Sequence, residues 1–205
     1  MKKIILIGAL VLFSASFGTT AFAGGKHLIY LNGCCLEKVG VSGYNTIVKK
    51  LKKDGFDVSF EPRYDDSSDS MDEVALKTTA AVQALLASGT KPDDIVVAGY
   101  SLGSVIAMYS SLQLNNPNVR FVLLAGCPVH TPRHFAINYA NLHGKFLSII
   151  DKYDDKFGSC GKNLSGATSF DEVTIDSGSG HKGFRLSSNY NYKKWEKPME
   201  SWLGK

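Results

Sequence analysis

The chain predicts an α/β fold: a three-layer α/β/α sandwich around a mostly parallel sheet of about six strands. Three observations carry this. Short β-branched or aliphatic runs alternate regularly with stretches of helical periodicity. The strands are apolar along their whole length, as in sheets covered on both faces. No internal repeat or low-complexity tract interrupts the alternation, which is the pattern of β-α-β crossovers.

The elements follow in order. His27 to Leu31 reads as a strand, ended by the turn Asn32-Gly33. Tyr44 to Lys53 reads as a helix, with Ile47, Val48 and Leu51 on one face and lysines on the other. Asp54-Gly55 stops it, and Phe56 to Phe60 is the second strand. Ser70 followed by Glu73 is a capping-box pattern and starts the next helix, which runs to Ser88-Gly89. The turn Lys91-Pro92-Asp93-Asp94 introduces the strand Ile95 to Ala98, and the helix Leu102 to Leu114 follows. Val119 to Ala125, Lys145 to Ile150 and Glu172 to Ile175 are further strands. Tyr190 to Leu203 closes the chain as a helix, with Trp195, Met199 and Trp202 on its apolar face. Two stretches are irregular. Cys127 to Gly144 is expected to form a short lid or helix, and Ser177-Gly178-Ser179-Gly180 is a loop that delivers His181.

The first 23 residues are expected to be a signal peptide. Lys2 and Lys3 form a basic n-region, Ile4 to Phe13 an apolar h-region, and Ala21-Phe22-Ala23 a cleavage site. The apolar run is short for a membrane span, and Gly24 stands where a lipoprotein would need a cysteine. The reading is an exported bacterial-type protein, periplasmic or secreted, without stable membrane insertion after cleavage. Residues 24–205 are expected to form one domain of 182 residues. Loss of Lys2 and Lys3 takes the formal net charge from +4 to +2, and the remaining lysine clusters read as solvated helix faces. No nucleic-acid partner is implied, and oligomeric state is open. Export permits disulfides, and of the four cysteines Cys127 and Cys160 are expected to pair, since each follows a strand end. Cys34 and Cys35 are adjacent, either free or joined to each other.

The chemistry centres on Gly99-Tyr100-Ser101-Leu102-Gly103, a G-x-S-x-G between an apolar strand and an apolar helix. That is the layout of a nucleophile elbow, in which a strained turn exposes the serine hydroxyl. The plainer role for Ser101 is a helix N-cap. A serine nucleophile needs a base, and the base an orienting carboxylate. Of five histidines, His181 lies in a Gly-rich loop after the last strand. The carboxylate is expected after the strand ending at Ile150. Asp154 is preferred because a turn there can aim it back toward His181, with Asp155 and Asp151 as alternatives. Oxyanion donors are expected from the backbone N–H groups of Leu102 and of Cys34. His130 and His134 have helical spacing that would suit a metal, but Pro132 intervenes and no third ligand is evident; they read as lid or pocket residues. The run Asp65-Asp66-Ser67-Ser68-Asp69 lacks calcium-loop spacing and reads as a solvated loop before a helix N-terminus. No metal or cofactor is expected.

With these residues placed, the chain from Lys26 to about Leu203 resembles the α/β-hydrolase superfamily. Ser101, Asp154 and His181 stand in that family's order of nucleophile, acid and histidine. The resemblance implies a capless serine hydrolase that acylates Ser101 and releases the acyl group to water, with a small-molecule acyl ester or thioester as substrate. Leu31-Asn32-Gly33 resembles the family's His-Gly turn, with Asn32 in the histidine position. Glu61-Pro62-Arg63 and Leu124-Ala125-Gly126-Cys127 are similar to segments of a small exported group of undefined substrate. A peptidase or amidase with the same triad, a non-catalytic binding protein on this fold, and a thiol enzyme using Cys34 are the alternative readings.

Overall fold

The computed structural model describes residues 25–130 and 135–204. The expected signal peptide and cleavage site, and His134, lie outside the described residues. Six parallel strands form one sheet: β1 (His27–Leu31), β2 (Asp57–Ser59), β3 (Ile95–Tyr100), β4 (Arg120–Leu124), β5 (Lys145–Asp151) and β6 (Ser169–Ile175). Their spatial order is β2-β1-β3-β4-β5-β6. Helix α1 (Leu36–Val39) is a single turn after β1. It is followed by α2 (Ser42–Lys53), α3 (Ser68–Ala87), α4 (Leu102–Leu114) and α5 (Asn189–Leu203). Helices α3 and α4 pack on one face of the sheet, and α5 covers β5 and β6 on the other, beside α2.

The strand sequences explain the burial. Every residue of β3 is buried, and Val96, Val97, Phe121, Val122, Phe146 and Leu147 are almost fully so in the sheet centre. Burying each such side chain contributes about 1.5–3 kcal/mol relative to exposure. Helix α4 is apolar nearly all round because α3 covers its outer side, and Ser110 and Ser111 are satisfied by the carbonyls of Ile106 and His143.

Several boundaries differ from expectation. The third helix starts at Ser68 rather than Ser70. Its cap is Ser67, whose hydroxyl accepts from the Ser70 N–H, while Glu73 pairs with Lys77 instead of closing a capping box. Strand β6 begins at Ser169, earlier than expected, because it is an edge strand with polar residues that pairs with β5 over seven positions. Between Cys127 and Gly144 the expected lid is, among the described residues, a bridge from Cys127 to Gly158 and one 3₁₀ turn at Tyr139–Asn141. Cys127 and Cys160 form a disulfide across a Cα separation of 5.0 Å. Cys34 and Cys35 are thiols whose sulfurs lie 2.8 Å apart. No helix among the described residues is long and apolar enough to cross a membrane.

Candidate active site

The strand order reverses direction between β1 and β3, and loops leaving the carboxyl ends of such a pair splay apart to open a crevice. Ser101 stands there, directly after β3, at φ 55° and ψ −118°. Few non-glycine residues adopt this conformation, and here the neighbours enforce it. A Cβ on Gly99 would lie 2.0 Å from the Gly103 carbonyl oxygen, and one on Gly103 would lie 2.3 Å from that of Leu31. Both glycines of the pentapeptide are therefore required by close backbone approach. The Ser104 hydroxyl fastens the turn by donating to the carbonyls of Gly99 (2.8 Å) and Leu124 (3.1 Å). Ser101 makes no side-chain capping bond to α4, so the N-cap reading does not describe it.

Its hydroxyl faces His181 instead, 2.9 Å from Nε2. The Nδ1 of His181 lies 2.8 Å from Asp154 Oδ2. The Asp154 side chain is 1% exposed, and its other oxygen accepts the N–H groups of Lys156 and Phe157, both at 2.9 Å. A carboxylate held this way orients the imidazole, leaving Nε2 as acceptor for the serine hydroxyl. The alternatives stand elsewhere. Asp151 is buried and accepts from the Tyr153 and Ser177 N–H groups, tying the end of β5 to the loop after β6. Asp155 is exposed. The imidazole itself lies between the rings of Tyr100 and Phe157, at 5.3 and 5.2 Å between centroids. The Tyr100 hydroxyl donates to the His181 carbonyl at 3.0 Å. Burial pushes that phenol well above the usual tyrosine range, so it remains a donor.

Leu102 opens α4, so its N–H has no acceptor within the helix. Cys34 lines the same cavity of about 550 Å³ as Ser101 and Leu102, and His130 also lines it, as a pocket residue. Gly33 brings the Cys34 loop in: a Cβ there would lie 2.8 Å from the Tyr100 ring and 3.2 Å from the Ser101 Cβ.

A family model described as phospholipase/carboxylesterase matches residues 54–155, just under half of the chain and a span that holds Ser101 and Asp154. Among solved structures, a phospholipase/carboxylesterase from Dyadobacter fermentans superposes with a TM-score of 0.60 at 15% identity, covering 89% of this chain and 91% of that one. SOBER1 from Arabidopsis thaliana superposes with a TM-score of 0.54 at 15% identity, covering 88% of this chain and 98% of its own. The chain has the α/β-hydrolase fold. No curated protein matches it significantly.

The fold carries a support network at this site that its sequence did not reveal. Asn32 is buried, donates to the carbonyls of Gly33 (2.8 Å) and Arg63 (2.9 Å), and accepts from the Arg63 N–H (2.9 Å). The Arg63 guanidinium donates to Asp66 and to the Gly33 carbonyl, and Asp66 accepts the Cys35 N–H at 2.6 Å. Asp66 is thus a clamp on the Cys34-Cys35 loop and not part of a purely solvated acidic run. The only sequence signal was Arg63 beside Pro62, directly after β2.

Proposed function

We propose that this chain is an exported serine hydrolase that cleaves carboxylic ester or thioester bonds through Ser101, His181 and Asp154. The observation that carries the reading is the unbroken chain of hydrogen bonds from Ser101 Oγ through His181 to buried Asp154, built on a strained elbow. The partial family match to phospholipases and carboxylesterases supports hydrolytic chemistry. The basic and apolar order of residues 2–23 supports export.

In this mechanism His181 Nε2 takes the serine proton as Oγ attacks the acyl carbonyl. Asp154 holds the imidazole and stabilises the imidazolium that forms. The N–H groups of Leu102 and Cys34 receive the oxyanion, aided by the α4 N-terminus. The tetrahedral intermediate expels the alcohol or thiol, which takes its proton from His181. Water, activated by the same histidine, then hydrolyses the acyl-enzyme.

A serine-reactive fluorophosphonate should label the mature protein, and Ser101→Ala should abolish labelling. It should also lower kcat on a short-chain p-nitrophenyl ester by about 10⁴-fold or more. A wild type that neither labels nor turns over any ester would show a non-catalytic protein on this fold. Activity that survives Ser101→Ala but falls on thiol blocking would move the nucleophile to Cys34.

A further inference from the structure

The cavity at Ser101 has a charge imbalance that the hydrolytic reaction does not itself require. Its lining holds Lys38, Lys156, Lys182 and Arg185 and no carboxylate. Several basic side chains elsewhere find acids: Lys26 with Asp94, Lys77 with Glu73, Lys145 with Asp93, Lys152 with Asp176, and Lys193 with Asp54 and Glu196. The four cavity cations have no ion pair among the described residues. The Asp154 side chain is buried and taken by His181 and two backbone N–H groups. Arg185 is only partly exposed, and a guanidinium withdrawn from water without a counter-ion is costly.

The cations are also placed unevenly. Lys156 lies two residues after Asp154, while Lys182 and Arg185 follow His181 in one 3₁₀ segment. Three of the four therefore stand on the histidine side of the cavity. The leaving group must occupy that side, because His181 Nε2 delivers its proton. Val39, Phe135 and Phe157 line the cavity as apolar surface.

Resting on the hydrolase reading above, we infer that the substrate is an ester whose alcohol half carries an anionic group, a carboxylate or a phosphate, held by Arg185, Lys182 and Lys156. In the acylation step the Ser101 Oγ–carbonyl carbon bond forms and the carbon–oxygen bond to the alcohol breaks. The serine proton passes through His181 to the departing oxygen, and the anionic alcohol leaves through the cationic mouth. Lys38, on α1, lines the same cavity, adds to its positive potential and favours entry of anions.

The test compares 4-acetoxybenzoate and 4-acetoxyphenyl phosphate with neutral methyl 4-acetoxybenzoate, each rate divided by its hydroxide-catalysed rate. The mature protein should prefer an anionic ester by about tenfold or more in kcat/KM, mainly through KM, and added salt should erode the preference. Arg185→Gln and Lys182→Gln should each lower the anionic-to-neutral ratio by about threefold to fivefold, as expected for exposed charges. Lys49→Gln, on the solvent side of α2, should leave the ratio unchanged. The carboxylate and phosphate arms show which anion is read. Equal turnover of neutral and anionic esters, or ratios unmoved by the cavity variants, overturns the inference while leaving the hydrolase reading intact. A preference confined to esters presented in phosphatidylglycerol vesicles would assign the cations to a lipid surface and also overturn it. Absence of turnover and of fluorophosphonate labelling would instead sink the hydrolase reading. Calorimetric titration of the product 4-hydroxybenzoate, which needs no catalysis, then decides the anion site by binding or not binding.

Discussion

Ser101 occupies a positive-φ conformation that its side chain disfavours, and the residues around it leave no other. Gly103→Ala would press a methyl into the Leu31 carbonyl, and Gly99→Ala would press one into Gly103 itself. Each should cost about 3 kcal/mol or more, read as a lower denaturation midpoint, and should also abolish fluorophosphonate labelling. The acid divides the neighbouring aspartates sharply. Asp154→Asn should lower kcat by about 10³–10⁴-fold, because an amide cannot hold the imidazole in its working tautomer. Asp155→Asn, at an exposed position, should stay within about twofold of wild type, and full activity in Asp154→Asn would move the role elsewhere. Order along the chain made the Ser101, Asp154 and His181 set legible, since each follows a strand. The Asn32, Arg63 and Asp66 clamp was not legible. Its bonds join residues about thirty positions apart, and no local period marks such a pair.

At the scale of elements, the segment after β4 replaces helix with cross-links. A bridge pairs Cys127 with Gly158, and the disulfide ties Cys127 to Cys160 across a sequence separation of 33. Closing a loop of that length should stabilise by about 3–4 kcal/mol in the chain-entropy model. The double variant Cys127→Ala/Cys160→Ala should therefore melt about 6–16 °C lower, given about 2–4 °C per kcal/mol at this size. Because the loop from Asp154 to Phe157 leads directly into this bridge, loosening it should also lower kcat. Element type was readable where periodicity was strong, as in α4, whose expected and observed bounds coincide. Helix α1 was not expected. It is a single turn whose preceding residue, Cys35, sits at φ 64°, and one turn has too few residues to show a period.

For the whole molecule, the closing helix is joined to the rest through charged groups. The Tyr192 hydroxyl donates to Asp54 at 2.9 Å, linking α5 to the end of α2. Beside it Glu196 is fully buried, held by Lys193 at 2.9 Å and crowded by Glu200. Burial, then the neighbouring Glu200, pushes its carboxyl up from 4.5 to about 7. The folded state thus keeps a proton that the unfolded chain has released. Glu196 contributes fully below pH 4.5, and this contribution is lost as pH rises through about 7. Glu196→Gln should flatten that part of the stability curve and raise the Tm above wild type at pH 8 by about 2–4 °C. A variant that melts lower than wild type at pH 8 would show that the carboxylate is ionised and well paired.

The sequence by itself determined that this is a parallel α/β sandwich with a serine elbow, and it ordered Ser101, Asp154 and His181, the residues of the proposed mechanism, along the chain. These properties are local: strand length, helical period, capping and turn residues all lie within a few positions of one another. Only the tertiary structure decided the rest. The strand order put the reversal between β1 and β3, so that loops distant in sequence open onto one cavity beside Ser101. It chose Asp154 over Asp151 as the partner of His181, because Asp151 already holds the loop after β6. It left four cations around that cavity without acids among the described residues. Hydrogen bonds and charges act over a few ångströms in space whatever the separation along the chain, so their partners emerge only once the sheet has assembled.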